Sequence, residues 1–227
     1  MKPETLNLKQ AAAEKSLEFI HDGNIVGLGT GSTVRYLLEA LARRMKEGLR
    51  IHGVPTSQET ATLAMQLNIP LLNDDDAWEI DVAIDGADEV DPHWNLIKGG
   101  GGALLREKII AANAKKFVVI VDEAKQVSAL GLSFPLPVEV IPFGWQNTAR
   151  KIEQLGYQGT LRQKNGQTVV TDNHNHILDL KGTEIVHPSE AERQLLAIPG
   201  VVEVGLFVNM TAVLVVGTPQ GAVVHRH

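Results

Sequence analysis

The chain has no cysteine. Disulfides, thiolate catalysis and cysteine-ligated zinc are therefore excluded. Aromatic residues make up only 4%, too few for the stacking platforms that hold single-stranded nucleic acid. A surplus of positive charge is missing too: 21 Lys plus Arg stand against 27 Asp plus Glu, a formal net charge of −6. That balance opposes non-specific adhesion to nucleic acid or to an anionic membrane, so neither is expected as a partner. It leaves room for local phosphate binding by a few lysines and backbone N–H groups. Apolar runs such as Phe117–Val121 are strand-sized and far too short to span a bilayer. Met1–Glu18 lacks the apolar core of a signal peptide; a cytoplasmic enzyme fits all of this, and so would many binding proteins. The remainder, 44% hydrophobic and 21% charged over 227 residues, suffices for one large domain or two small ones with a buried core.

Apolar spacing predicts a helix over Leu8–Ile20, stopped by Asp22-Gly23. Strands are expected at Asn24–Leu28, Ile51–Val54, Ile80–Ile84 and Phe117–Val121. Helices are expected between them, over Val34–Met45, Glu59–Leu67 and from the glycine run to Ala114. This alternation implies an α/β fold with a mainly parallel sheet covered on both faces. After about Leu130 the pattern changes. Ser133–Pro142 holds three prolines in an extended segment, and a helix is expected over Gln146–Leu155. Short strands follow at Gln158–Arg162, Thr168–Thr171 and Ile177–Leu180, separated by turn signals at Asn165-Gly166 and Asn173–Asn175. A helix over Ser189–Ala197 ends at Pro199-Gly200, and strands Val201–Val208 and Ala212–Gly217 finish the chain. This half reads as a small α+β unit with antiparallel pairing.

Three glycine- and acid-rich motifs stand out. The first, Gly27-Leu28-Gly29-Thr30-Gly31-Ser32-Thr33, joins a strand to a helix. Glycines permit a sharp turn, and free N–H groups with Ser and Thr hydroxyls form an anion site suited to phosphate. A P-loop would need Lys where Gly31 stands. A dinucleotide fingerprint would need Gly at Ser32 and an acid after the second strand, where Val54-Pro55-Thr56-Ser57 has none. The same residues also suit a plain capped turn. The second motif, Asp85-Gly86-Ala87-Asp88-Glu89-Val90-Asp91, directly follows an apolar strand. Its acids can accept hydrogen bonds from sugar hydroxyls or hold a metal, or can simply be solvated. No His lies at ligand spacing, and His93 reads as a loop residue. The third is Lys98-Gly99-Gly100-Gly101-Gly102-Ala103-Leu104-Leu105-Arg106-Glu107-Lys108. Four glycines in a row cost much chain entropy, which points to close approach of a ligand to the backbone. Glu107 falls early in the following helix, where a surface acid is also favoured by the helix dipole.

Together these motifs resemble the ribose-5-phosphate isomerase A family. The resemblance rests on Gly-Thr-Gly-Ser-Thr at 29–33, Asp-Gly-Ala-Asp at 85–88, Lys-Gly-Gly-Gly at 98–101 and Arg106-Glu107-Lys108. It continues through Lys125-Gln126, Phe134–Pro142, Thr171-Asp172-Asn173 and Ile198–Phe207, nearly the whole chain in order. One small departure is Leu105, where some relatives carry a polar residue.

The resemblance implies a Rossmann-like, mainly parallel sheet domain over residues 1–130 and 206–227. A smaller α+β domain would cover residues 131–205. It implies interconversion of ribose 5-phosphate and ribulose 5-phosphate, with no metal or other cofactor and a homodimer or homotetramer. Glu107 would be the base moving a proton between C1 and C2. Asp85, Asp88 and Lys98 would line the reacting end of the sugar. Thr30, Gly31, Ser32, Thr33, Lys125 and Lys9 would surround the substrate, chiefly its phosphate. Gly86, Ala87, Gly99, Gly100 and Gly101 complete the implied substrate-binding set. His174, His176, His225 and His227 are expected on the surface and are given no metal. The chemistry fits these roles: an enediolate intermediate needs one base over the C1–C2 bond and a cation or donors at its oxygens.

Rival readings are an amino-sugar phosphate deaminase or a CoA-transferase of the same wider fold. A sugar-phosphate sensing module of a transcription regulator is a rival of another class. Such a module carries a DNA-binding helix-turn-helix, for which the early start of the α/β pattern leaves no room.

Overall fold

Buried runs of Val, Ile and Leu set the sheets, and amphipathic stripes between them set the helices. The computed structural model describes residues 7–182 and 184–226. The first six residues of the Met1–Glu18 reading, and the surface expectation for His227, lie outside the described residues. In chain order the elements begin with α1 (Leu8–Ser16), β1 (Ile25–Leu28), α2 (Ser32–Lys46), β2 (His52–Pro55), α3 (Gln58–Gln66) and β3 (Val82–Asp85). There follow β4 (Glu89–Val90), β5 (Leu96–Ile97), α4 (Leu104–Asn113), β6 (Phe117–Asp122), β7 (Leu136–Val140) and α5 (Trp145–Gln154). The chain continues with β8 (Gln158–Leu161), β9 (Gln163–Lys164), β10 (Gln167–Thr168), β11 (His176–Lys181) and α6 (Pro188–Leu196). It ends with β12 (Val201–Val204), β13 (Leu206–Phe207), β14 (Val213–Thr218) and β15 (Gly221–Arg226).

The described residues form two compact units: 7–86 with 106–125 and 210–226, and 87–105 with 126–209. The first unit carries a six-stranded sheet in the order β15-β14-β6-β3-β1-β2. Every neighbouring pair is parallel except the hairpin β14–β15. Ala12 and Ala13 of α1 and Leu37, Leu38 and Leu41 of α2 share a core with Val26, Leu28, Ile84 and Ile120. Gly27 points the other way on β1, where an added Cβ would come 2.4 Å from the Ile110 methyl of α4. Both faces of this α/β sheet are thus covered, as the alternation of elements implied.

The second unit is built on a four-stranded antiparallel sheet, β12-β7-β11-β8. Val138, Val140, Leu178 and Leu180 pack beneath Ile152 of α5 and Leu195 of α6. A three-stranded sheet, β13-β5-β4, and the hairpin β9–β10 complete it.

Four departures from the sequence reading have physical causes. The strand expected over Val201–Val208 breaks at Gly205 into β12 and β13, which join different sheets. A Cβ there would lie 2.4 Å from the Lys98 carbonyl oxygen and 2.9 Å from Pro137. The proline-rich segment contains a central strand, β7, within which Pro137 pairs with Asp179. The strand expected at Thr168–Thr171 shrinks to Gln167–Thr168, because Thr171 instead closes the turn that leads into β11, its N–H donating to the Asn175 carbonyl. Finally, residues 87–105, 126–130 and 206–209 cluster with the second unit rather than the first. Their strands β4 and β5 pair with each other and then with β13.

Candidate active site

Asp85 ends β3, Thr30 follows β1, and Lys125 closes a 3-10 turn after β6. These three strands are parallel neighbours. Segments distant in sequence therefore deliver polar groups to one sheet edge, the carboxyl edge at which open α/β sheets bind ligands. Asp85 is 3% exposed. Its Oδ1 accepts the N–H of Thr30 at 3.1 Å and of Gly86 at 2.7 Å. Any side chain at Gly29 would put its Cβ 2.2 Å from that carboxylate, so glycine is what lets the turn close on Asp85.

Gly31 follows at a φ of 108°, and Ser32 opens α2. The ammonium of Lys9, on α1, lies 3.0 Å from the Ser32 hydroxyl. Gly31 and Ser32 are exposed and Thr33 is half-buried. A helix N-terminus, a hydroxyl and a cation in one place suit a dianionic phosphate.

Thr30 is engaged differently. Thr60 donates to the Gly29 carbonyl at 2.8 Å, Ser57 donates to Thr60 at 3.0 Å, and Thr30 donates to Ser57 at 2.9 Å. Since each hydroxyl has one proton, the 2.6 Å contact between Thr30 and Thr56 runs from Thr56 to Thr30. Both donors of Thr30 are thus committed inside the protein, its N–H to Asp85 and its O–H to Ser57. The residue shapes the turn and leaves anion donors to its neighbours. Thr56, Ser57 and Thr60 escaped the sequence reading. The available signal was a hydroxyl pair directly after the second strand.

Glu107 lies in the first turn of α4 and is 5% exposed. Leu104, Ile110 and Ala111 are buried on the same helix, so the carboxylate occupies a place in an otherwise apolar stripe. It is not the surface acid that composition alone would suggest.

In the second unit, the pairing of β4 with β5 sets Asp88, just before β4, and Lys98, just after β5, at the same end of the pair. The Asp88 N–H donates to Ile97 at 2.8 Å, and the Lys98 N–H donates to Gly205 at 2.8 Å. Lys98 is 2% exposed, with its ammonium 5.4 Å from the centre of the Phe207 ring. The Gly100 N–H donates to Asp88 Oδ2 at 2.8 Å. A Cβ on Gly100 would fall 2.7 Å from Asp88 Oδ1, so a side chain there would push the carboxylate aside. Ala87 is half-buried and Gly101 exposed. Gly99 has a φ of 104°, a conformation side chains rarely adopt, and a Cβ there would crowd Leu104 at 3.0 Å.

The other acids of the second motif serve structure. Glu89 is buried and accepts the N–H groups of Gly131, Ser133 and Phe134 at 2.7, 3.0 and 2.6 Å. Asp91 accepts from the N–H of His93 and from both the N–H and the amide of Asn95. His93, His174 and His225 are exposed, and His176 is half-buried. Among the described residues no cluster of three His, Cys, Asp or Glu is placed to hold a metal ion. Among them, too, no helix is long and apolar enough to cross a membrane.

Comparison with known proteins bears on this site. The profile of the ribose 5-phosphate isomerase A (phosphoriboisomerase A) family matches residues 52–221. The chain is 54% identical over 217 residues to ribose-5-phosphate isomerase A of Bacillus cereus (strain ATCC 10987 / NRS 248), covering 95% of this chain and 98% of that one. It is 50% identical over 226 residues to the enzyme of the same name from Cereibacter sphaeroides, covering 96% and 90%. Among solved structures, ribose 5-phosphate isomerase A from Methanocaldococcus jannaschii aligns with a TM-score of 0.92 at 41% identity, over 97% of this chain and 98% of that one. A D-ribose-5-phosphate isomerase in complex with phospho-erythronic acid aligns with a TM-score of 0.93 at 41% identity, over 98% and 100%.

Proposed function

The chain belongs to the ribose 5-phosphate isomerase A family and interconverts ribose 5-phosphate and ribulose 5-phosphate, and from this premise we propose that Glu107 is the general base of the reaction. The observation that carries the proposal is a carboxylate buried in the apolar stripe of α4. With the sugar ring open, Glu107 takes the proton from C2 of the aldose. The electron pair moves to the C1 carbonyl and an enediolate forms. Glu107 then returns the proton to C1 as O2 becomes the ketone oxygen. The hydroxyl proton passes from O2 to O1 through Asp85 or Asp88. Lys98 stabilises the negative charge that develops on these oxygens. The phosphate is held by Ser32, Thr33, Lys9 and Lys125 and by the backbone at Gly31, with Thr30 setting the turn. Gly86, Ala87, Gly99, Gly100 and Gly101 offer backbone at the reacting end. Phospho-erythronic acid, held by the related isomerase, pairs a phosphate with a carboxylate. That is also the charge pattern of a phosphopentose enediolate.

No metal or other cofactor is needed in this scheme, because base and electrophile are both side chains. The same reading makes it a cytoplasmic homodimer or homotetramer, a reading that the family resemblance supports. The test of the base is Glu107→Gln, which keeps size and loses the ability to accept a proton. Measured as ribulose 5-phosphate formed from ribose 5-phosphate, kcat should fall by at least about 10²-fold with little change in KM. Near-normal kcat would overturn the assignment.

A further inference from the structure

Four consecutive glycines are costly to order, so a loop of them needs an external brace. In this chain the brace is a guanidinium. Nη1 of Arg162 donates to the Gly99 carbonyl at 2.7 Å and to the Gly100 carbonyl at 3.2 Å. The other edge of the same group is taken by Asp179, with Nε to Oδ2 at 2.9 Å and Nη2 to Oδ1 at 2.5 Å. The two side chains are only 14% and 15% exposed. Their placement follows from strand register. Thr160 of β8 pairs with Asp179 of β11, and the Arg162 N–H donates to Ile177 just beyond. Arg162 and Asp179 are therefore diagonal neighbours. They lie on the face opposite Leu178 and Leu180, which point into the core.

The consequence lies in a single peptide group. The carbonyl of Gly99 and the N–H of Gly100 belong to the same rigid plane. Its oxygen is held by Arg162 and its hydrogen points to Asp88 Oδ2 at 2.8 Å. The sequence of contacts is guanidinium, carbonyl, amide, carboxylate. Donation to the oxygen polarises the amide and strengthens its donation to the acid. Because Asp179 neutralises the guanidinium, what reaches Asp88 is orientation rather than net charge.

We propose that Arg162, oriented by Asp179, is a positioning residue of the isomerase, fixing the Asp88 carboxylate and the backbone after Lys98 through the Gly99–Gly100 peptide. This rests on the reading that Asp88 and Lys98 serve the reaction. Lysine keeps the charge of arginine but not its planar fork, so it cannot engage Asp179 at two points while bridging two carbonyls. Arg162→Lys should therefore lower kcat by roughly 10–100-fold, the scale of loss that accompanies a small misplacement of reacting groups. KM and melting temperature should change little. Asp179→Asn, which leaves Arg162 in place but unheld, should show the same kcat-led loss and guards against a misfolded first variant. The decisive measurement is a double-mutant cycle with Asp88→Ala. If Arg162 acts through Asp88, Arg162→Lys should cost less than about twofold further in that background. Losses that multiply independently, or an unchanged kcat in Arg162→Lys, would overturn the proposal. An Asp88→Ala enzyme with full kcat would instead overturn the site reading beneath it.

Discussion

An ammonium 2% exposed acts with far more force on a neighbouring charge than one in water, because the medium around it screens little. Lys98 is such a group, fixed after β5 by its own N–H to Gly205 and lying beside the Phe207 ring. In the proposed site its attraction for substrate oxygen would grow as the carbonyl becomes an oxyanion, so its removal should act on the chemical step. Lys98→Ala should reduce kcat by about 10²–10³-fold and raise KM much less. Steady-state kinetics giving a change in KM alone would reduce Lys98 to a binding group. At this scale the sequence was legible where a residue type conflicts with its pattern. Glycines 99–102 defy ordinary chain entropy, whereas Glu107 by itself reads as a surface acid and is singled out only by the family resemblance. Arg162 and Asp179 were not legible, since each looks like an ordinary charged residue of a short strand. Only the pairing of β8 with β11 joins them, and only the fold brings Gly99 beneath the guanidinium. Thr30 is a subtler case. The motif points to an anion site, but the direction of a hydroxyl chain through Ser57 and Thr60 is written in three dimensions.

Elements were read best where burial on two faces gives long apolar runs, as in β3 and β6. They were read worst where a strand exists only because a partner does. The two-residue strands β4 and β5 have no pattern of their own and form against β13. The strand β15 pairs along six positions with β14, but its apolar stretch is only Ala222–Val224 before His225 and Arg226. One joint between elements is electrostatic. Asp81, just before β3, accepts the ammonium of Lys115 at 2.8 Å and the N–H of Ile25 at 2.9 Å. Its own N–H donates to the Ile25 carbonyl, so it ties β3 to the start of β1. The Lys115 bond first, and the Ile25 N–H second, hold its carboxyl below the ordinary 3.8. The folded protein therefore favours the ionised form. The stabilisation is fully present above the unfolded value and fades as pH falls through the lowered native one. Asp81→Ala should cost about 1–2 kcal/mol near neutrality, or roughly 2–8 °C in melting temperature for a chain of this size. In thermal melts taken from pH 6 down to pH 2, the gap between wild type and variant should close. A gap that persists undiminished at pH 2 would show that the charge of Asp81 is not the source.

The whole molecule carries a net charge of −6, yet its substrate is a phosphate ester. Long-range attraction cannot bring the two together, so recognition of the phosphate has to be local. The residues proposed for it cluster at the carboxyl edge of the parallel sheet. Ser32 opens α2 with Lys9 3.0 Å away, and Lys125 follows β6. The shared edge was legible in the order of the motifs, because loops after parallel strands share one edge whatever their separation in sequence. Phosphate takes no part in the proton transfer, but the energy of holding it can be used to fix C1 and C2 against the base. Free ribose, which lacks the phosphate, should therefore lose kcat as well as affinity. If it lost affinity alone, the phosphate site would be a mere anchor. Inorganic phosphate should compete weakly with ribose 5-phosphate. Ser32→Ala and Lys125→Ala should each raise its inhibition constant by about tenfold, the value of one hydrogen bond or close contact to a charged group. A crystal grown with phosphate gives the direct view. An anion found away from residues 31–33 and Lys125 would refute this half of the site while leaving the assignment of Glu107 untouched.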